Sequence, residues 1–362
     1  MFKIFFAAAL AGVLWSGPAW GQEVDPKLQS YQPVNGVSGS LKSVGSDSMN
    51  NLMALWTEGF RKMYPNVTIE VEGKGSTTAP PALIAGTADF GPMSREMKGA
   101  EIDGFEKKYG YKPTLLGTGI DMLAVYVHKD NPIESLTLPQ VDAIFSSTRA
   151  LGFPKDIRTW GGAGLKRPWA SQPISLYGRN SASGTYGFFK EHALGKGDFK
   201  NSVAEQPGSS AVVQSAARDK NGIGYSGIGY KTANVRAVPL AVDADAEPVP
   251  AEPEYAYSGD YPLSRLLYIY VNYKPGSQLP PVQKEFARYV FSKEGQQDVV
   301  KDGYYPVTAA MANKYLSSVG IGGSQAKSAG KRSTPLGDTT DAAAKKAATG
   351  AKSGRAAASK AN

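Results

Sequence analysis

The chain has 362 residues, of which 41% are hydrophobic and 20% are charged, and it contains no cysteine and two histidines, His128 and His192. This composition excludes a wholly disordered chain, a disulfide scaffold and a metal site built on thiolates or on several histidines. The 40 Lys and Arg residues outnumber the 32 Asp and Glu residues and give a formal net charge of +8, so a nucleic-acid or membrane partner has to be weighed against the position of the charges.

The first predicted segment is a secretory signal peptide at residues 1–21. Lys3 precedes an apolar run at residues 4–15, and Ala19 and Gly21 supply the small residues of a cleavage site. This run is shorter than the ~20 residues that a membrane-spanning helix needs. We therefore expect cleavage after Gly21 and an exported protein that is periplasmic or secreted.

Predicted strands alternate with predicted helices along the rest of the chain. Apolar residues between positions 49 and 63 recur at helical spacing, whereas runs such as 123–127 are short and apolar. The alternation predicts an α/β architecture with largely parallel sheets. The predicted strands lie at 41–44, 67–71, 88–91, 123–127, 174–177 and 266–271, and the predicted helices at 49–63, around 83–84, from 185, and at 210–218, 282–290 and 295–300.

Three loops rich in Ser, Thr and Gly each lead from a predicted strand towards a predicted helix. Helix N-termini offer unpaired N–H groups and a partial positive charge, and small hydroxyl residues add further donors. One such loop is typical of helix capping alone, so the prediction of an oxyanion site depends on the three together and on the forked donors of an arginine. The loops contain Ser46, Asp47 and Ser48, then Gly75, Ser76 and Thr77, then Arg179, Ser183, Gly184 and Thr185.

The segments around these loops resemble the periplasmic phosphate-binding proteins, the PstS-type receptors of ABC importers. The resemblance runs from about Gly39 to Ser318. Its phrases are GSDSMNNLMALW at 45–56, GKGSTTAPPALIAGTADFGPMSREM at 73–97 and GRNSASGTYGFFKE at 178–191.

The resemblance implies an α/β, two-lobed periplasmic binding protein fold with two crossing hinge strands and a ligand cleft between the lobes. The crossings would lie at 120–128 and 265–272. Lobe I would comprise residues 36–124 plus 266–323, and lobe II residues 125–265.

The resemblance also implies which residues bind phosphate. In the best-known members a carboxylate stands at the position of Ser94, where it accepts the proton of monohydrogen phosphate and so rejects sulfate. A serine hydroxyl can accept that hydrogen bond but does not repel sulfate, and Asp47 or Asp121 could act as the acceptor instead. The implied phosphate-binding residues are Asp47, Ser48, Ser76, Thr77, Ser94, Arg179, Ser183, Gly184 and Thr185.

The function implied is that of a monomeric solute-binding protein, without cofactor or metal, that captures inorganic phosphate and delivers it to the membrane permease of an ABC importer. A receptor for another tetrahedral oxyanion, such as sulfate, is the alternative in the same class. A secreted phosphatase is a second alternative, but the sequence offers it no evident nucleophile, base or metal cluster.

A third alternative is an envelope interaction protein that acts through its basic C-terminus. Residues 325–362 are mostly Ala, Lys, Ser, Gly and Thr, which predicts a disordered tail. The tail has eight basic and two acidic residues, a charge of +6, and could make weak contacts with polyanions. The rest of the mature chain is nearly neutral, so bulk charge is not what we expect to draw an anion into the cleft.

Overall fold

The structure is a computed structural model that describes residues 23–322. The predicted signal peptide and basic tail lie outside the described residues. Within residues 23–322 no helix is long and apolar enough to cross a bilayer.

Strands and helices alternate through most of the described chain, as the sequence predicts. The strands are β1 (Gly39–Val44), β2 (Val67–Glu72), β3 (Phe90–Met93), β4 (Thr114–His128), β5 (Leu136–Thr137), β6 (Ser175–Arg179), β7 (Val203–Gln206), β8 (Gly222–Gly227), β9 (Val235–Ala237), β10 (Leu240–Ala241) and β11 (Ser264–Val271). The helices are α1 (Asn50–Met63), α2 (Ala79–Ala85), α3 (Gly99–Tyr109), α4 (Leu138–Phe145), α5 (Gly184–His192), α6 (Ser209–Arg218), α7 (Pro253–Ser258), α8 (Pro281–Val290), α9 (Lys293–Lys301) and α10 (Ala309–Ser318).

One curled sheet has the strand order β2-β1-β3-β11-β4-β8-β6-β7, with β9 also paired to β4. The outer pairs β1–β2, β1–β3, β6–β7 and β6–β8 are parallel, but every pair made by β4 and β11 is antiparallel. The expectation of largely parallel sheets is therefore correct for the two outer parts and wrong for the centre. The reason is that β4 carries the chain out of the first part and β11 brings it back alongside, in the opposite direction.

The long strand β4 joins the two parts of the sheet. Residues up to Met122 pair with β11, and residues from Leu123 pair with β8. All residues of β4 from Leu116 onward are buried, so it forms the spine of the molecule. The predicted α/β, two-lobed fold is confirmed. The lobe boundaries themselves stay a prediction. In the structure, the partner of β4 changes from β11 to β8 after Met122, and β11 begins at Ser264.

Several helices are absent from the sequence prediction. In α4 all five residues from Val141 to Phe145 are buried, so the helix has no polar face whose periodicity would reveal it. A signal was available nevertheless, because Thr137 and Gln140 form a capping box at its N-terminus. In α3 the single buried residue is Phe105, so its apolar stripe is too thin to detect.

Helix α1 has the apolar stripe that the sequence predicts. Its buried residues are Leu52, Met53, Trp56 and Phe60. The Trp56 indole N–H donates to the Gly295 carbonyl at 2.7 Å, which satisfies a polar group that would otherwise be buried unpaired. This bond holds the middle of α1 against α9, and the first polar loop leads into the start of the same helix.

Candidate functional site

The first polar loop follows β1 and forms a short 3-10 turn, Asp47–Met49, that leads into α1. Two tyrosines hold its backbone: Tyr230 Oη donates to the Asp47 carbonyl at 3.0 Å, and Tyr304 Oη donates to the Ser48 carbonyl at 2.8 Å. Burial raises the pKa of both phenols well above the ordinary tyrosine value. Both hydroxyls are therefore neutral donors at any physiological pH.

The second polar loop lies beside the first and is tied to the end of β3. Gly75 has a φ of +124°, which a residue with a Cβ adopts only with strain. The Ser94 backbone N–H donates to Ser76 Oγ at 3.1 Å, and Ser46 Oγ donates to Ser94 Oγ at 3.2 Å. Ser76 and Ser94 are both fully buried. The first part of the fold thus presents a compact group of hydroxyls.

The third polar loop comes from the second part of the fold, between β6 and α5. Arg179 is the last residue of β6, and Ser183 is the N-cap of α5, where its Oγ accepts from the Tyr186 N–H at 3.3 Å. Gly184 and Thr185 form the first turn of the helix and are buried. The N-terminus of α5, with its partial positive charge, therefore faces the hydroxyls of Ser76 and Ser94 in the first part of the fold.

Direct contacts join the third loop to the first two. Ser48 Oγ lies 2.8 Å from Thr185 Oγ1, and the Arg179 guanidinium donates to Asp47 Oδ2 at 2.8 Å. The Thr77 backbone N–H and hydroxyl both donate to the Ala182 carbonyl, at 3.2 and 3.1 Å. All three loops predicted from sequence therefore meet at one place between the two parts of the fold.

Gly184 sits at the tightest point of this meeting. A Cβ at this position would lie 2.7 Å from Ser94 Oγ and 2.8 Å from the Ser76 Cβ, and closer still to Ser76 Oγ. Because normal van der Waals contact is about 3.5 Å or more, the two parts approach this closely only with glycine there.

The Arg179 side chain, 2% exposed, and the Asp47 side chain, 23% exposed, form an ion pair. A residue absent from the sequence prediction, Ser209, bonds to both. Ser209, the first residue of α6, donates its backbone N–H and its hydroxyl to Asp47 Oδ2 at 2.8 and 3.0 Å, and its Oγ accepts from Arg179 at 2.8 Å. Ser209 follows Gly208 in the phrase GSSAVVQ, so a fourth Ser-rich helix start was visible in the sequence. The Arg179 Nε–H is buried without a hydrogen-bond partner among the described residues.

Asp121 is placed differently from Asp47. It is fully buried in β4, its Oδ1 accepts from the Ile228 N–H at 2.9 Å, and its Oδ2 accepts from Arg265 Nε at 2.9 Å. Arg265 is the second residue missed from sequence. It stands in an apolar strand, where its side chain gave no motif to recognise.

Asp302 lies near this region with an unusual protonation equilibrium. Burial and the charge of Asp121 raise the pKa of the Asp302 carboxyl to about 7. Its Oδ2 is buried with no hydrogen-bond partner in the described part of the chain. The described residues also contain no group of three or more His, Cys, Asp or Glu side chains able to hold a metal ion.

Comparison with known proteins gives concordant matches. A model of the PBP superfamily domain matches residues 30–294. The chain is 55% identical over 298 residues to the phosphate-binding protein PstS of Pseudomonas aeruginosa, covering 82% of this chain and 92% of that protein. It is 29% identical to the PstS of Staphylococcus saprophyticus, covering 71% and 77% of the two chains.

Solved structures give the same result for the fold. A Clostridium perfringens protein, provisionally assigned as a phosphate ABC transporter substrate-binding protein and solved with bound phosphate, is 26% identical with a TM-score of 0.63, over 75% of this chain and all of that one. An ABC-type phosphate transport receptor from Vibrio cholerae has a TM-score of 0.58 at 22% identity, over 74% and 100% of the chains.

Proposed function

Because the chain belongs to the PBP superfamily, and within it to the PstS phosphate-binding proteins, we propose that it captures inorganic phosphate between its two lobes and delivers it to the permease of an ABC importer. The relative from Clostridium perfringens, which contains phosphate, supports this ligand. The site here combines arginine and hydroxyl donors with the Asp47 carboxylate, and its PstS relatives carry names for binding, so the proposed role is binding for transport and not an enzymatic reaction.

The observation that carries the proposal is the environment of Arg179. Its guanidinium is 2% exposed and has a spare Nε–H donor. Ser209 touches it directly, Ser48 lies beside Ser209, and Thr185 lies beside Ser48. An arginine that is buried among hydroxyls at helix N-termini provides charge-assisted donors in several directions, which suits a tetrahedral anion stripped of water.

The test is calorimetric titration of the mature protein with phosphate at neutral pH. Arg179→Ala should largely abolish binding, because it removes the charge and the forked donors together. Arg158→Ala is the matched control: Arg158 is in the same lobe, but its guanidinium is exposed and paired with Asp156. Absence of phosphate binding by the wild type, or tight binding by Arg179→Ala, would reject the proposal.

Monohydrogen phosphate has a proton that sulfate lacks, so selectivity for phosphate requires a group that accepts a hydrogen bond from that proton. We assign this role to Asp47. Within the described chain, the hydrogen bonds of its carboxylate all go to Oδ2, which leaves Oδ1 to accept from the anion. Asp121 has both oxygens engaged by Ile228 and Arg265. We assign the Ser94 hydroxyl as a second, weaker acceptor.

Competition titration with sulfate tests this assignment. Asp47→Asn replaces a carboxylate oxygen by an amide donor, so the preference for phosphate over sulfate should fall by about 10-fold or more, the effect of one charged hydrogen bond. Asp121→Asn is the comparison. If the preference for phosphate over sulfate is unchanged in Asp47→Asn and lowered in Asp121→Asn, the acceptor is Asp121 instead. Equal binding of both anions by the wild type would favour a general oxyanion receptor.

Export as a monomer through a cleaved signal peptide at residues 1–21, to the periplasm or beyond, completes the proposal. The tail at residues 325–362 has a charge of +6, which supports weak, salt-dependent contacts with polyanions of the envelope. Pull-down on anionic polymer at low salt should retain the full chain better than a chain truncated after Ser324. Equal retention would mean that the tail has no such role.

A further inference from the structure

Arg265 is the second arginine of the interlobe region, and none of the three predicted loops contains it. It is the second residue of β11 and the first of the crossing predicted at 265–272, where it pairs with Asp121 of β4, on the lobe I side of the sheet. Its side chain is 2% exposed, and its guanidinium lies 5.2 Å from the ring centre of Phe188 on α5. A charge so deeply buried is costly unless every donor has a partner of suitable geometry.

The guanidinium of Arg265 has partners in β4, in the segment after β3 and in α5. Nε donates to Asp121 Oδ2 at 2.9 Å, and Nη2 lies 2.7 Å from the same oxygen. Nη1 donates to the Ser94 carbonyl at 2.9 Å, and Nη2 donates to Thr185 Oγ1 at 3.0 Å. Asp121 lies on the crossing strand, Ser94 belongs to lobe I, and Thr185 belongs to lobe II. One planar group thus bonds both lobes at once.

The bond to Thr185 also determines how that hydroxyl is oriented. An arginine can only donate, so Thr185 Oγ1 must accept from Arg265. The threonine proton is then directed elsewhere, either to Ser48 Oγ at 2.8 Å or to the oxygen of an anion between the lobes. The nearby positive charge makes Thr185 a stronger donor, since hydrogen bonds in such a chain polarise one another.

We propose that Arg265, held by Asp121, is a positioning residue for anion capture, which orients the Thr185 hydroxyl as a donor when the lobes close and so slows release of the anion. This inference rests on the proposed phosphate function. The Arg265–Thr185 bond forms only when the lobes are together, so it acts mainly on dissociation. Asp121 serves it by fixing the guanidinium through Oδ2 while Oδ1 holds the Ile228 N–H of lobe II.

The experiment measures phosphate affinity and the dissociation rate of radiolabelled phosphate in the full mature chain. Arg265→Lys keeps the charge opposite Asp121, but one ammonium cannot reach Asp121, Ser94 and Thr185 together. We expect dissociation to accelerate by about 10-fold or more, with the association rate changed by less than about 3-fold. Arg95→Lys is the matched control, because the Arg95 side chain is also buried, at 8% exposed, but donates within its own segment, to Glu101 and the Glu96 carbonyl.

A double-mutant cycle distinguishes positioning from general structural support. Thr185→Val removes the acceptor, so adding Arg265→Lys to it should cost little further affinity, whereas two independent roles would add. Asp121→Asn with Arg265→Gln replaces the ion pair by neutral groups and covers the case in which Arg265→Lys does not fold. This neutral pair should also release phosphate faster.

Each outcome bears on the inference. Tight phosphate binding by the wild type with unchanged dissociation in Arg265→Lys and in the neutral pair would overturn the role of Arg265 alone. Additive effects in the cycle would do the same. No phosphate binding by the wild type would overturn the proposed function together with this inference. Faster dissociation, a non-additive cycle and an unaffected Arg95→Lys would establish it.

Discussion

Gly184→Ala separates the closing of the lobes from the folding of each lobe. Gly184 is the first residue of α5, and the added Cβ would collide with Ser76 and Ser94 of lobe I. Restoring normal contact requires the lobes to move apart by about 1 Å at this point. The change lies on lobe II, but the three atoms nearest to the added Cβ belong to lobe I.

A displacement of that size breaks the short interlobe hydrogen bonds. Ser48–Thr185 at 2.8 Å, Asp47–Arg179 at 2.8 Å and Arg265–Thr185 at 3.0 Å would all be stretched beyond useful length. At about 1 kcal/mol for each, closure loses ~3 kcal/mol. The affinity for phosphate should therefore fall by about 100-fold.

The assay pairs calorimetric titration with urea unfolding of the phosphate-free protein. Alanine is a better helix residue than glycine by up to ~1 kcal/mol, so the free energy of unfolding should stay level or rise while affinity falls. Gly99→Ala is the matched control, since Gly99 is also the first residue of a helix and its added Cβ would meet nothing within 4 Å. Unchanged phosphate affinity in Gly184→Ala would refute the reasoning.

Two further predictions concern stability. The Asp302 carboxyl has a pKa raised from 3.8 to about 7. As pH falls, the folded state therefore takes up this proton before the unfolded state does, and it is stabilised between pH 7 and about pH 4. In urea titrations, Asp302→Asn should therefore raise the free energy of unfolding by ~1–2 kcal/mol relative to wild type at pH 8, and by much less at pH 5. A difference that does not vary with pH would contradict this. Trp56→Phe deletes the N–H bond to the Gly295 carbonyl at 2.7 Å and should lower the free energy of unfolding by ~1–3 kcal/mol, with the carbonyl left unpaired; an unchanged urea midpoint would contradict it.

Local patterns in the sequence were sufficient for the elements with strong periodicity. The stripe of α1 and the apolar run within β4 were readable because burial on one face or on all faces leaves a regular signature. Helix α4 was not readable, since its last five residues are buried on every side, Asp142 included, and its capping box is its one local mark. The direction of the central strands depends on where the chain crosses and returns, which no local pattern encodes.

The sequence by itself determined that three polar loops precede helices and that one of them contains Arg179, because turns and helix caps depend on residues that are adjacent in the sequence. The tertiary structure decided which groups meet. Asp47 and Arg179 are 132 positions apart, and Arg265 and Asp121 are 144 apart. Their contact depends on sheet order and lobe closure, so the contacts of Ser209 with Asp47 and Arg179, and those of Arg265 with Asp121, became visible only in three dimensions. The structure likewise separated two aspartates that look alike in sequence: within the described residues Asp47 accepts hydrogen bonds through Oδ2 alone, whereas Asp121 accepts through both oxygens.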